Sequence, residues 1–101
     1  MKAVEPSLDK IEALVLRRTG LELDDQRSGA RRAVVVRAAR RGSPAARMGV
    51  EAGDLVREVN SREVSTLAEF RRAAQRARRS GQLVLLVQRG YLAERLAFDF
   101  E

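Results

Sequence analysis

Apolar residues recur at two different periods along this chain, and the switches between them mark its elements. Leu8, Ile11, Leu14 and Val15 fall on one helical face behind a Pro6-Ser7 entry. This helix is predicted to end before Thr19-Gly20. Leu21-Glu22-Leu23 alternates as a short half-buried strand does. Asp24 to Arg32 is polar, with Ser28-Gly29 inside it, and reads as a loop. Ala33 to Ala38 is β-branched around Val34-Val35-Val36 and reads as a buried strand.

The second half repeats the logic. Ser43 suits a helix N-cap, Pro44 the first helical position, and Gly49 a left-handed exit barely more than one turn later. Gly53-Asp54 is a turn ahead of a strand from Leu55 to Val59. Asn60-Ser61 turns again, with Val64 on a short returning strand. Thr66 and Glu69 make a capping box ahead of a helix that Gly81 stops. Leu67, Phe70, Ala74 and Ala77 line one face of it. Leu83 to Arg89 is an unbroken strand, and Leu92, Leu96, Phe98 and Phe100 keep a period of two after Gly90-Tyr91. Several short strands with two real helices imply an α+β fold. The expectation is a small, mostly antiparallel β-sandwich or partial barrel of five to six strands capped by two helices. A sheet this small carries an open edge unless something covers it.

Composition narrows the chemistry. At 101 residues the chain is one small domain able to bury a core without covalent staples. It has no cysteine and no histidine. Disulfides, thiolate metal sites, Ser-His-Asp triads and imidazole acid–base catalysis are therefore excluded. Ser43 has no base to activate it and reads as a cap. Asp54 reads as a carboxylate accepting turn N–H bonds. No enzyme activity and no cofactor are expected. The net charge is +6, carried by arginine except at Lys2 and Lys10. The arginines come as scattered pairs, such as Arg31-Arg32 and Arg78-Arg79, and the aromatics are only Phe70, Tyr91, Phe98 and Phe100. With so little for bases to stack on, nucleic acid is not the expected partner. No apolar run approaches a membrane span, so no span is expected here.

Gly42 to Ala46, Gly53-Asp54, Leu55-Val56, Asn60-Ser61, Ser65 to Arg71 and Leu83 to Gly90 occur in a fixed order with fixed spacings. Together they resemble a bacterial PDZ domain of the Do or high-temperature-requirement type, the module that follows a trypsin-like serine protease domain. The resemblance covers roughly Arg17 to Phe100. It divides the chain into a helix or linker segment at residues 1–16 and a PDZ domain at residues 17–101. Ser61 departs from the usual glycine of the Asn-Gly turn. Thr19 departs from the usual aliphatic residue of the peptide-binding loop.

The resemblance implies a module that binds the C-terminal peptides of other proteins by strand addition, as the regulatory domain of a larger protease. It places the parent protein in the bacterial periplasm or cell envelope, with a protease domain elsewhere in the parent chain. By resemblance, Thr19-Gly20-Leu21 is the turn whose amides hold the guest carboxylate, with Arg17 or Arg18 adding positive charge. The same glycine read alone caps the first helix. Leu21, Glu22 and Leu23 would form the edge that the peptide extends. The helix from Leu67 to Arg78, with Phe70, would form the other wall. Glu69, Ala73 and Arg76, at i, i+4 and i+7, are the stripe expected to face the groove. Two competing readings are a small arginine-rich nucleic-acid-binding domain and a PDZ-like docking domain whose groove is shut.

Overall fold

The computed structural model describes residues 6–101, without the side chains of residues 6–9 and 28. Residues 1–5 of the segment set apart at 1–16 lie outside what is described, as do the side chains of Ser7 and Leu8 on which the expected cap and the start of the helical face rest. Helix α1 (Pro6–Thr19) leads directly into β1 (Leu21–Ser28), which turns back as β2 (Arg31–Ala39). A four-residue helix α2 (Pro44–Arg47) precedes β3 (Leu55–Val59) and the two-residue β4 (Arg62–Glu63). Helix α3 (Leu67–Ala77), β5 (Gln82–Arg89) and β6 (Leu92–Asp99) complete the order.

The strands form one open antiparallel sheet in the order β1-β2-β3-β5-β6, with β4 pairing β3. The expected α+β architecture is present. The β1–β2 hairpin differs from the expected loop: Asp24 to Ser28 continue β1 and pair with β2 as far as Ser28↔Arg31. These residues are polar because the hairpin runs beyond the core. Backbone pairing there holds the strand without an apolar face.

One core unites helices and sheet. Val34, Val36, Val56, Val59, Leu83 and Leu85 from the sheet are buried with Phe70, Ala74 and Phe100. Ile11, Leu14 and Val15 of α1 belong to the same cluster. The capping signals work as read. Ser43 Oγ accepts from Ala46 N at 3.2 Å and Thr66 Oγ1 from Glu69 N at 3.1 Å, while Ser65 N donates to Glu69 Oε1 at 2.7 Å. Asn60 and Ser61 both take left-handed backbone, with φ of 48° and 71°. That is the conformation an Asn-Gly turn supplies and one a serine adopts only under strain.

Candidate functional site

β1 and β6 stand at the two ends of the sheet. Beside β1, α1 and the N-terminal half of α3 enclose a groove of about 430 Å³. Its apolar lining comes from Val15 and Leu16 of α1, Leu21 and Leu23 of β1, and Leu67 and Phe70 of α3. Its polar lining is Glu12, Glu22, Arg37 and Arg40. Period-two alternation turns Leu21 and Leu23 to the core side of β1 and leaves Glu22 at the polar margin of the groove.

Two contacts bridge the groove walls. Asp25 Oδ1 on β1 accepts from the Leu67 amide at 2.6 Å, engaging an otherwise orphan donor in the first turn of α3. Arg71 on α3 donates through Nε to Glu12 Oε2 on α1 at 2.8 Å.

The head of the groove is a tight joint. The Gly20 amide donates to the Leu16 carbonyl at 2.8 Å, closing α1. Thr19, fully buried, donates through Oγ1 to the Val15 carbonyl at 2.6 Å and accepts from the Leu21 amide at 3.0 Å. Gly20 sits at φ 84°, and a Cβ placed there would collide with the Ser43 side chain. The amides of Gly20 and Leu21 thus have partners within the chain, and the glycine serves as cap and close-contact point together.

The charge at this end comes from a place the sequence did not single out. Arg40 N donates to the Gly20 carbonyl at 2.9 Å, fixing Arg40 beside the start of β1. Glu22 pairs with Ala38 and Leu23 with Val36, which leaves Arg37 as the extra residue of a bulge in β2. Bulges re-aim side chains. Arg37 Nη2 lies 3.4 Å from Glu22 Oε1 and Arg40 Nε 3.2 Å from Glu22 Oε2.

Of the residues singled out in the sequence, Leu21, Glu22, Leu23 and Phe70 line this groove together. Arg18 instead donates to the Glu101 backbone carbonyl, and Arg17 is exposed on the last turn of α1. Glu69 is occupied in the capping box. Ala73 is buried, and with Arg76 it borders a separate depression shared with Asn60, Arg62 and Arg79. The structure therefore does not bring Glu69, Ala73 and Arg76 to the groove. Phe70, Ala73, Ala74 and Ala77 are all buried, so α3 is rolled with Leu67 and Phe70 toward β1. Alanines on both candidate stripes made the roll ambiguous from spacing alone. Glu12, Val15, Leu16, Arg37 and Arg40 were missed because α1 and β2 contribute them across the fold.

A second cluster lies elsewhere. Asp54 follows the Gly53 turn, and its buried carboxylate accepts from Arg89 Nε at 2.7 Å, Arg89 Nη2 at 2.8 Å and the Glu51 amide at 2.9 Å. Arg89 Nη2 also donates to the Gly49 carbonyl at 2.8 Å. The Arg89 hydrogen bonds hold the Asp54 carboxyl below the usual aspartate range; burial opposes them, and the Glu51 amide reinforces them.

Among the described residues no helix is long and apolar enough to cross a membrane, and no cluster of acidic side chains has the makings of a metal site. No curated protein matches the chain. Residues 35–89 match the sequence model of a family described as the PDZ domain, from the middle of β2 to the end of β5. That match covers more than half of the chain and includes the Gly42–Ala46 and Gly53-Asp54 segments and α3. With the open antiparallel sheet, it shows that the chain belongs to the PDZ domain family, whose members are protein- and peptide-binding modules.

Proposed function

We propose that this domain captures an extended peptide by adding it as a further strand along the outer edge of β1, with an apolar guest side chain seated among Leu21, Leu23, Leu67 and Phe70. The observation that carries this reading is the groove itself. An apolar trough runs between the free side of an edge strand and the first turns of α3. Among the described residues no other strand pairs with that side of β1. Backbone donors and acceptors along the strand supply affinity, and the trough selects the side chain. A few backbone bonds at about 1 kcal/mol each and one buried aliphatic group at about 2 kcal/mol, set against ordering costs, give roughly micromolar binding. The domain binds and does not catalyse. The ordered motifs shared with high-temperature-requirement proteins support a place as the regulatory or substrate-recognising part of a larger envelope protease, with guests presented by their C-termini.

An NMR titration with a library of peptides having free C-termini tests the reading. Shifts are expected along Leu21 to Leu23 and Leu67 to Arg71. The Asp25–Leu67 and Glu12–Arg71 bridges favour one second reading, a docking domain whose groove is held shut. Absence of shifts in the groove with every peptide decides for it.

A further inference from the structure

Glu22 holds its carboxylate at the groove between two guanidinium groups. It lines the same trough as Leu21, Leu23, Leu67 and Phe70, and both of its oxygens face guanidinium groups. Oε2 takes Arg40 Nε at 3.2 Å and Oε1 takes Arg37 Nη2 at 3.4 Å. Arg37 Nη1 lies 3.8 Å from Asp24 Oδ2. The backbone donors that could hold an anion at this end, those of Gly20 and Leu21, are already engaged within the chain. Arg40 is nevertheless anchored there through its own amide on the Gly20 carbonyl.

The contacts to Glu22 are long, and the Arg37 and Arg40 side chains are 61% and 60% exposed. Exposed pairs of this kind contribute little to stability, so exchanging one carboxylate for another is cheap. A strand laid along β1 alternates its side chains between the apolar floor of the trough and its polar margin, where Glu22, Arg37 and Arg40 stand.

Resting on the peptide-binding reading above, we infer that a guest carboxylate is received by the guanidinium groups of Arg37 and Arg40, displacing Glu22, which serves as a built-in competitor. Glu22 therefore sets a threshold: guests that bring a carboxylate replace it, and guests that bring none leave it seated. With Glu22 and Asp24 nearby, a bound carboxylate meets two guanidiniums and two residual negative charges. Removing the Glu22 charge tightens binding, and removing either guanidinium weakens it.

The test uses the whole chain and the peptide acetyl-Thr-Val-Thr-Val-Thr-Leu in three forms, followed by NMR titration. The first form has a free C-terminus, the second a C-terminal amide, and the third an amide with glutamate replacing the threonine next to the end. Glu22→Gln is expected to tighten a carboxylate-bearing form by about threefold, and Arg40→Gln to weaken it by about fivefold, the range that exposed ion pairs support. Arg37→Gln acts in the same direction as Arg40→Gln. The plain amide shows no such dependence. A response confined to the free acid identifies the guest's C-terminus as the source of the carboxylate, and a response of the glutamate-bearing amide identifies a side chain. Unperturbed spectra of the free variants exclude loss of fold as the cause.

Shifts along β1 with equal affinities for all three forms, unmoved by the three substitutions, overturn the role of Glu22, Arg37 and Arg40 and leave peptide capture standing. Absence of binding by every form to wild type and to Glu22→Gln overturns both.

Discussion

Two of the domain's arginine–carboxylate contacts, at Asp54 and at Glu22, use the same chemistry with opposite consequences. At Asp54 the carboxylate is 4% exposed, accepts two bonds from one guanidinium at 2.7 and 2.8 Å, and takes a backbone amide as well. At Glu22 the carboxylate is 28% exposed and shares two guanidiniums at 3.2 and 3.4 Å. The first geometry is bidentate, with the carboxylate withdrawn from water although Arg89 is itself 53% exposed, and charge-assisted bonds of this form are the strong ones. The second is solvated and loose. Asp54 and Arg89 tie the end of β5 to the turn behind α2, so they fix the fold. Glu22, Arg37 and Arg40 join strands that the β1–β2 ladder already pairs.

The contrast breaks most visibly by removing the tight carboxylate. Asp54→Ala strips Arg89 of its partner and leaves the Glu51 amide without an acceptor. The expected loss is about 2 kcal/mol of unfolding free energy, because the half-exposed Arg89 regains water, and it is read from urea unfolding at neutral pH. A loss under about 0.5 kcal/mol would place Asp54 in the same class as Glu22.

Acid reads the same cluster without a mutation. The Asp54 carboxyl is lowered in the folded state, so its contribution is fully present above the unfolded aspartate value of about 4. It is lost as pH falls from there through the lowered folded value. Wild type should therefore lose stability below about pH 4 more steeply than Asp54→Asn, which has no such proton to take up. Parallel curves for the two proteins would remove the pin.

The joint at the head of the groove comes next. Gly20→Ala forces a side chain into Ser43 at a left-handed backbone position, with an expected cost of about 2 kcal/mol. Because Ser43 also caps α2, chemical-shift changes should reach Ala46 as well as Leu21. A neutral substitution there would mean that α1 and β1 are joined loosely enough for the Gly20 and Leu21 amides to turn outward toward a guest.

What could be read beforehand follows from how local each signal is. Val34-Val35-Val36, the Leu83 to Arg89 run and the Thr66/Glu69 capping box declare themselves within a few residues, because period and capping are short-range properties. The length of β1 was hidden because Asp24 to Ser28 pair through backbone alone. Asp54 read correctly as a turn acceptor, yet its stronger partner, Arg89, lies 35 residues away. Arg37 and Arg40 reach the groove through a bulge and a backbone bond to Gly20, neither of which has a sequence signature. Arg17 and Arg18 were the nearer candidates by number, but the last turn of α1 carries them elsewhere.

The smallest expected effect is the one that decides whether the second cluster is what the comparison makes it. Glu22→Gln should change unfolding free energy by less than about 0.5 kcal/mol, because two exposed guanidiniums regain water when the charge is removed. The same holds for Arg40→Gln, since its backbone bond to Gly20 survives the substitution. Raising the salt from low to physiological concentration should leave the stability gap between wild type and each variant almost unchanged, there being little Coulomb energy to screen. If Glu22→Gln instead cost as much as Asp54→Ala, Glu22 would be a fixed part of the hairpin. A guest carboxylate could then displace it only by loosening β1 from β2.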